Sequence, residues 1–177
     1  FNNTYLFHVL VKDDFCPMPG EKSITLAITV KAKDYSDPVS LICVSEDGDG
    51  SNLLDWSVAQ DNGGSFSHYG IHHSHSLNGG YQEVPISDIN QNQYEHVDVN
   101  LGTIDPTYYY VSTNSGCHGL DQSISDTISN VALTGNLLGS NILRMNWNQP
   151  YLTGQNTDDL TYIVERNIDN LNWVKID

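Results

Sequence analysis

The sequence predicts an all-β chain built of tandem β-sandwiches. Three observations predict it. Apolar and polar residues alternate over short runs, which is the period of a strand with one buried side. Turns rich in Gly, Asn and Asp separate those runs, and no stretch carries a persuasive helical period. One pattern also occurs twice: Leu54-Asp55-Trp56, a loop and Tyr69-Gly70-Ile71 return as Met145-Asn146-Trp147, a loop and Tyr162-Ile163-Val164. The two tryptophans stand about 90 residues apart, the size of one small sandwich.

The elements follow in order. Tyr5, Phe7, Val9 and Val11 alternate on one face of a first strand, and Ile24, Leu26, Ile28 and Val30 on a second. The turn Asp14-Phe15-Cys16-Pro17-Met18-Pro19-Gly20 joins them, so they read as the last hairpin of a sandwich whose earlier strands are missing. Residues 34–38 form a linker ending at Pro38, which suits the start of a strand because it cannot donate to a ladder. Seven strands are then expected near residues 40–45, 52–59, 67–74, 81–84, 93–100, 107–113 and 122–130. The turns Asp47-Gly48-Asp49-Gly50, Asp61-Asn62-Gly63-Gly64 and Asn78-Gly79-Gly80 punctuate them with residues that tolerate positive φ. From Ala132 the order restarts, with strands near residues 133, 141–148, 162–166 and 171–176. Both ends look like cuts through larger structures.

Composition narrows the partners. The chain has 177 residues, of which 22 are Asp or Glu and 7 are Lys or Arg, giving a net charge of -15. Seven dispersed cations assemble no basic patch, which argues against nucleic acid and against anionic membrane surfaces. No apolar run approaches the roughly 20 residues that cross a bilayer, so no membrane insertion is expected in this segment. The carboxylate excess favours solubility and leaves ligands for calcium.

The Trp and Tyr pairs resemble those of fibronectin type III modules, in which a Trp on the second strand packs against a Tyr opening the third. Trp56 with Tyr69, and Trp147 with Tyr162, match by position, and Thr107-Tyr108-Tyr109-Tyr110-Val111 resembles the tyrosine-bearing sixth strand. Which of those three tyrosines points inward stays open. The phrase Asp13-Asp14-Phe15-Cys16-Pro17-Met18-Pro19-Gly20 is similar to the last hairpin of Ig-like or PKD-like modules in very large Bacteroidota surface proteins. Such proteins often belong to the gliding-motility-associated group exported by type IX secretion. The resemblance implies tandem Ig-like/fibronectin type III-like β-sandwiches: the end of one module over 1–33, a complete one over 34–131 and the start of another over 132–177. The segments around Cys43 and Cys117 look like the cysteine-bearing segments of those modules, which implies a Cys43–Cys117 disulfide. Its long loop would make it worth about 4 kcal/mol. Cys16 would then pair with a residue outside this sequence.

Other constellations point to less. His68, His72, His73 and His75 crowd one strand, with His73 and His75 on one face, but zinc needs three or four convergent ligands. A solvated strand end is the expectation, because His73 aligns with Arg166 in the second copy. Asp47 and Asp49 resemble half a calcium loop that lacks the bidentate Glu at its twelfth position. Asp13, Asp14, Asp34 and Asp37 could hold calcium between modules. Tyr81, Tyr94, Tyr151 and Trp173 are candidate sugar-stacking rings, though core and interdomain packing uses the same positions. Asn2-Asn3-Thr4 is an N-linked sequon, and Asp126-Thr127-Ile128 looks like the Bacteroidota O-glycosylation signal at Thr127. No phosphate loop, nucleophile elbow or telling Cys–His spacing is present.

The expectation is therefore a non-catalytic spacer of a large secreted or cell-surface, adhesin-like bacterial protein, without a resident cofactor. Its partners would be neighbouring modules, with surface glycans and secretion or motility machinery as further candidates. The alternatives are a glycan- or protein-binding module, or a linker within a secreted polysaccharide-degrading enzyme.

Overall fold

The computed structural model describes residues 2–14, 20–31, 36–46, 50–97, 105–116, 121–139, 142–154, 160–167 and 172–176. The chain is all-β: every regular element among these residues is a strand.

β1 (Asn2–Lys12) and β2 (Glu21–Lys31) form an antiparallel hairpin. Its register sets Tyr5 opposite Ile28, Phe7 opposite Leu26 and Val9 opposite Ile24, so the two apolar stripes share one face. The turn is closed by Gly20 N–H, which donates to the Asp13 carboxylate at 2.7 Å, and by the Lys12–Glu21 ion pair. The expected buried side is open here, with Tyr5 51% exposed and Ile28 equally so. Alternation specifies which side of a strand is apolar, but it does not supply a covering layer.

Between Leu41 and Ser129 two antiparallel sheets enclose one core. The first sheet has the order β3 (Leu41–Glu46), β4 (Asn52–Trp56), β7 (Gln93–His96). The second has the order β10 (Ile128–Ser129), β8 (Tyr108–Ser115), β5 (Phe66–Ser74), β6 (Gln82–Ile86), with β9 (Asp121–Ile124) also on β8. Leu41, Leu54 and Trp56 of the first sheet meet Tyr69, Ile71, Ile86, Tyr109 and Val111 of the second. Trp56 and Tyr69 touch edge to face at 5.7 Å between ring centres. Full burial of each such ring stabilises by about 1.5–3 kcal/mol. The Tyr69 hydroxyl is satisfied at the sandwich edge: it accepts from Ala59 N–H and donates to the Ile89 carbonyl, both at 2.8 Å. Of the three consecutive tyrosines, Tyr109 points inward.

The strands fall close to the expected positions, with physical exceptions. The single strand expected over 122–130 is two, because the Ser125 hydroxyl takes the Val111 N–H at 2.9 Å and displaces the ladder. The turn at residues 61–64 is tied by Asp61, whose carboxylate accepts from Ser65 N–H at 2.8 Å and Phe66 N–H at 2.9 Å. Gly64 closes that turn with φ 65, a conformation that Gly adopts at little cost.

Beyond Asn130, β11 (Leu133–Leu138) pairs with β12 (Ile142–Trp147), and β13 (Glu165–Asn167) with β14 (Trp173–Lys175). Trp147 and Tyr162 repeat the first pair at 5.6 Å. The strand expected over 162–166 begins only at Glu165. A cleft of about 230 Å³ opens beside Leu133, Met145, Trp147 and Tyr162. In the first copy Tyr109 and Val111 of β8 fill the corresponding core.

Candidate functional site

Three polar assemblies stand out, and all involve residues on or next to β5, β8 and β10. The first lies on the outer face of the second sheet. Successive strand residues point to opposite faces, so with Tyr69 and Ile71 inward, His68, Gly70 and His72 face out. The register puts Ser112 opposite Gly70 and Glu83 opposite His72. Gly70 has no side chain, and the groups around it close over the gap: a Cβ there would meet Glu83 Oε1 and Ser112 Oγ at 2.6 Å and His72 Nε2 at 2.9 Å. His72 Nε2 lies 3.0 Å from the Ser112 hydroxyl, which also accepts from Asn114 Nδ2 at 3.0 Å and donates to the Gly70 carbonyl at 3.4 Å. His68 reaches Glu83 at 3.4 Å.

The centre of this assembly is buried, which corrects the expectation of a solvated strand end at His72, while His68 and Glu83 lie at its open margin. His72 is 7% exposed and Ser112 is 0% exposed. Tyr110 stacks on the His72 ring at 4.3 Å, and Tyr81 packs edge-on to Tyr110 at 4.9 Å. Burial holds the His72 imidazole below its ordinary pKa, against the opposing pull of the Glu83 carboxylate. A hydroxyl beside an imidazole is the start of a nucleophile–base pair. Here Asn114 and Gly70 occupy that hydroxyl, and Tyr110 covers one face of the imidazole beside it.

The second assembly lies between the sheets. His73 follows Tyr69 and Ile71 on the inward stripe, and its ring centre is 4.1 Å from that of His96 on β7. His96 Nδ1 is 2.8 Å from the Tyr109 hydroxyl, which also accepts from Asn52 Nδ2 at 2.8 Å. Asn52 Oδ1 accepts from Asn130 Nδ2 at 3.4 Å, and Asn130 Oδ1 accepts from Thr107 N–H at 2.8 Å. Burial pushes the Tyr109 phenol up to about 12, against the hydrogen bonds from Asn52 and Thr107. His75, by contrast, is exposed, with Nδ1 at 3.4 Å from the Thr107 hydroxyl.

The third assembly joins the two copies of the repeat. Ile128 and Leu152 form an antiparallel bridge. Ser129 N–H donates to the Tyr151 carbonyl at 3.0 Å, and Tyr151 N–H to the Ser129 hydroxyl at 2.8 Å. Thr153 N–H donates to the Thr127 carbonyl at 3.1 Å, and Thr127 N–H to the Thr153 hydroxyl at 3.0 Å. Asn148 clasps the connecting residues: its Oδ1 accepts from Ala132 N–H at 2.6 Å and its Nδ2 donates to the Asn130 carbonyl at 3.2 Å. Tyr108 and Tyr151 meet edge to face at 6.0 Å.

The remaining candidates are dispersed. Cys43 is an exposed free thiol on β3, while Cys117 and Cys16 fall outside the described residues. Asp13 is engaged in the hairpin turn, Asp14 and Asp37 are exposed, and Asp34, Asp47 and Asp49 lie outside the described residues. Among the described residues no group of three or more His, Cys, Asp or Glu is placed to hold a metal. Thr127 is half-buried and its backbone belongs to the junction. Tyr81 and Tyr151 pack against Tyr110 and Tyr108, Tyr94 lies against His96, and Trp173 is 68% exposed.

The sequence reading missed Gly70, Asn52, His96, Ser112 and Asn130. A signal existed for the inner group. Asn52 shares the inward stripe of Leu54 and Trp56, and His73 that of Tyr69 and Ile71, so each is a polar residue on an apolar face. No helix among the described residues is long and apolar enough to cross a membrane, which leaves strand-built spans unaddressed.

No protein-family model matches the sequence, and no curated protein matches it. Among solved structures, the chain is similar to pectate lyase PelI from Erwinia chrysanthemi, in complex with tetragalacturonic acid, at 18% identity and a TM-score of 0.41. That match covers 52% of this chain and 28% of the lyase chain. A further structure of the same lyase matches at the same identity and TM-score, covering 27% of its chain. The chain thus spans about a quarter of the lyase chains it matches, and a likeness this small carries no argument about activity.

Proposed function

We propose that this chain is a non-catalytic spacer segment of a large secreted or cell-surface bacterial protein, built from fibronectin type III-like modules. In this reading residues 1–33 end an Ig-like module, 34–131 form a complete fibronectin-like module and 132–177 begin another. The strand orders β3-β4-β7 and β10-β8-β5-β6 support the module type, since they set three strands against the remainder with a Trp and a Tyr at the centre.

The observation that carries the spacer role is the junction. Residues 151–153 pair with residues 127–129, and Asn148 spans the connection. A linker free to swivel would leave those backbone groups to water. Bonding across the junction suits a part that transmits position and force, and the buried polar groups on β5 and β8 suit a rigid unit more than an open site. No resident metal or cofactor belongs to this reading. Export by type IX secretion and a role in gliding motility belong to the same proposal, on the resemblance alone.

The test is nuclear magnetic resonance relaxation of the 177-residue chain. Residues 36–130 and 131–176 should share one rotational correlation time. Two independent times would overturn the rigid-spacer reading.

A further inference from the structure

We propose that Tyr81, Tyr110, Tyr108 and Tyr151 form a binding platform for a neutral oligosaccharide, built across the junction between the two copies of the repeat. The proposal goes beyond the spacer reading, and its Tyr151 corner rests on the junction that carries that reading.

The rings reach one surface by strand parity. Tyr109 faces the core, so Tyr108 and Tyr110 on either side of it face out. The register sets Tyr110 opposite His72, and Tyr108 between Ser74 of β5 and Ser129 of β10. Tyr151 arrives from the second copy through its backbone bonds to Ser129. Tyr81 stands just before β6, and its hydroxyl donates to the Leu77 carbonyl at 3.3 Å. Each of the four tyrosines is half-buried. Burial, and then the charges of Tyr110, Tyr108 and Tyr151, hold the Tyr81 phenol above its ordinary pKa, which sets the four phenols in one neighbourhood.

Their geometry makes two corners. Tyr110 lies flat on the buried His72 ring, with 9° between the planes, and Tyr81 meets it at 60° and 4.9 Å. Tyr108 and Tyr151 meet at 71° and 6.0 Å. Strand residues two apart stand about 7 Å from each other, so the corners are neighbours. A pyranose presents an apolar C–H face inside a rim of hydroxyls. The face packs on one ring of a corner and its edge on the other, while phenol oxygens bond the rim. Two adjoining corners suit two successive sugar units.

Charge selects the kind of sugar. Residues 34–131, which supply three of the four rings, contain no Lys or Arg. Beside the platform stands Glu83, opposite His72, with its side chain 42% exposed. A carboxylate accepts from sugar hydroxyls, and it repels a uronate, a sulfate or a phosphate. A neutral glycan needs no cation to hold it, and an acidic one would meet none from this module.

The test titrates the 177-residue chain with neutral hexasaccharides of glucose, mannose, galactose and xylose, with a hexagalacturonate and with a proline-rich peptide. Calorimetry reads affinity, and nuclear magnetic resonance reads the tyrosine rings. At least one neutral sugar should bind and shift the ring signals of all four tyrosines, and the other two probes should not. Tyr81→Ala and Tyr108→Ala should each weaken binding by about tenfold, the order that one ring contact carries. Tyr108→Phe keeps the ring and should retain most of the affinity. Trp173→Ala removes a ring that is 68% exposed and outside this group, and it should change nothing. Absence of binding by every neutral sugar overturns the platform, as does preference for the hexagalacturonate or the peptide. Equal loss in Trp173→Ala and Tyr108→Ala overturns it too. Should the alanine variants fail to fold, the native rings decide, and sugar-induced shifts that bypass these four tyrosines overturn it. A chain that keeps the Tyr108–Tyr151 contact but binds no sugar leaves the spacer reading standing and the platform refuted. Loss of that contact in the free chain overturns the rigid junction and the two-copy platform together.

Discussion

Gly70→Ala should be among the most damaging single-methyl additions in the central unit. The backbone at Gly70 does not require glycine, since it lies within β5; the space does. The added carbon would stand 2.6 Å from Ser112 Oγ, 2.6 Å from Glu83 Oε1 and 2.9 Å from His72 Nε2. Glu83 can give way, because its side chain is 42% exposed. Ser112 and His72 are buried, and they are bonded to each other. Moving either breaks that bond and disturbs Asn114, which donates to Ser112. Overpacking costs about 1–3 kcal/mol. Leaving a buried polar group unpaired adds about 1–3 kcal/mol. The sum expected is about 2–4 kcal/mol, since some relaxation will recover part of each. For a unit of this size each kcal/mol moves the melting temperature by about 4–8 °C, so the shift should be roughly 8–32 °C. Near-ultraviolet circular dichroism of the buried Trp56 follows this transition. Ser112→Ala removes one of the clashing atoms, so the double variant should fall short of the sum of the two singles. A Gly70→Ala change under about 0.5 kcal/mol, or strict additivity with Ser112→Ala, would refute the steric account.

Three further outcomes follow. Tyr69→Phe should destabilise by about 1–3 kcal/mol in urea, because Ala59 N–H and the Ile89 carbonyl lose their buried partner. Burial holds His72 and His73 below the ordinary imidazole value of about 6.5, so the unfolded chain binds protons that the folded chain refuses. Their contribution is therefore intact above about pH 6.5 and is lost as the pH falls toward their folded values, and a urea midpoint that does not drop on acidification would contradict this. Asp61 is held below 3.8 chiefly by the Phe66 and Ser65 N–H groups, so its contribution is present above that value and lost below it. Asp61→Ala should remove this acid step near the turn and cost about 1 kcal/mol or less, as solvent screens an accessible carboxylate.

What could be read in advance was what a single strand encodes by itself. Alternation placed β5 and β8 to within two residues and β4 to within three, and the Trp56–Tyr69 and Trp147–Tyr162 pairs touch as their repeat implied. What could not be read was what two strands decide together. Gly70 acquires meaning only when the register brings Ser112 opposite it and Glu83 beside it. The run of histidines looked like one cluster, but strand parity separates it: His72 faces out under Tyr110, while His73 faces in against His96. The alignment of His73 with exposed Arg166 misled for the same reason, because an apolar partner layer surrounds one position and not the other. The division of the expected strand over 122–130 depended on a single hydroxyl, that of Ser125, accepting the Val111 N–H in place of a backbone carbonyl. The pairing of residues 151–153 with residues 127–129 has no local signature at all.

That last pairing also bears on how such a chain avoids sticking to itself. β10 is an outer strand of its sheet, and an uncovered outer strand is a template for any extended segment that passes. Here Tyr151, Leu152 and Thr153 occupy that rim. The vulnerable margin of this sheet is thus sealed by residues synthesised after it. During N-to-C-terminal synthesis the margin would stay bare until residue 153 had emerged, so a chain ending before Tyr151 should associate with its own copies more readily than the longer one.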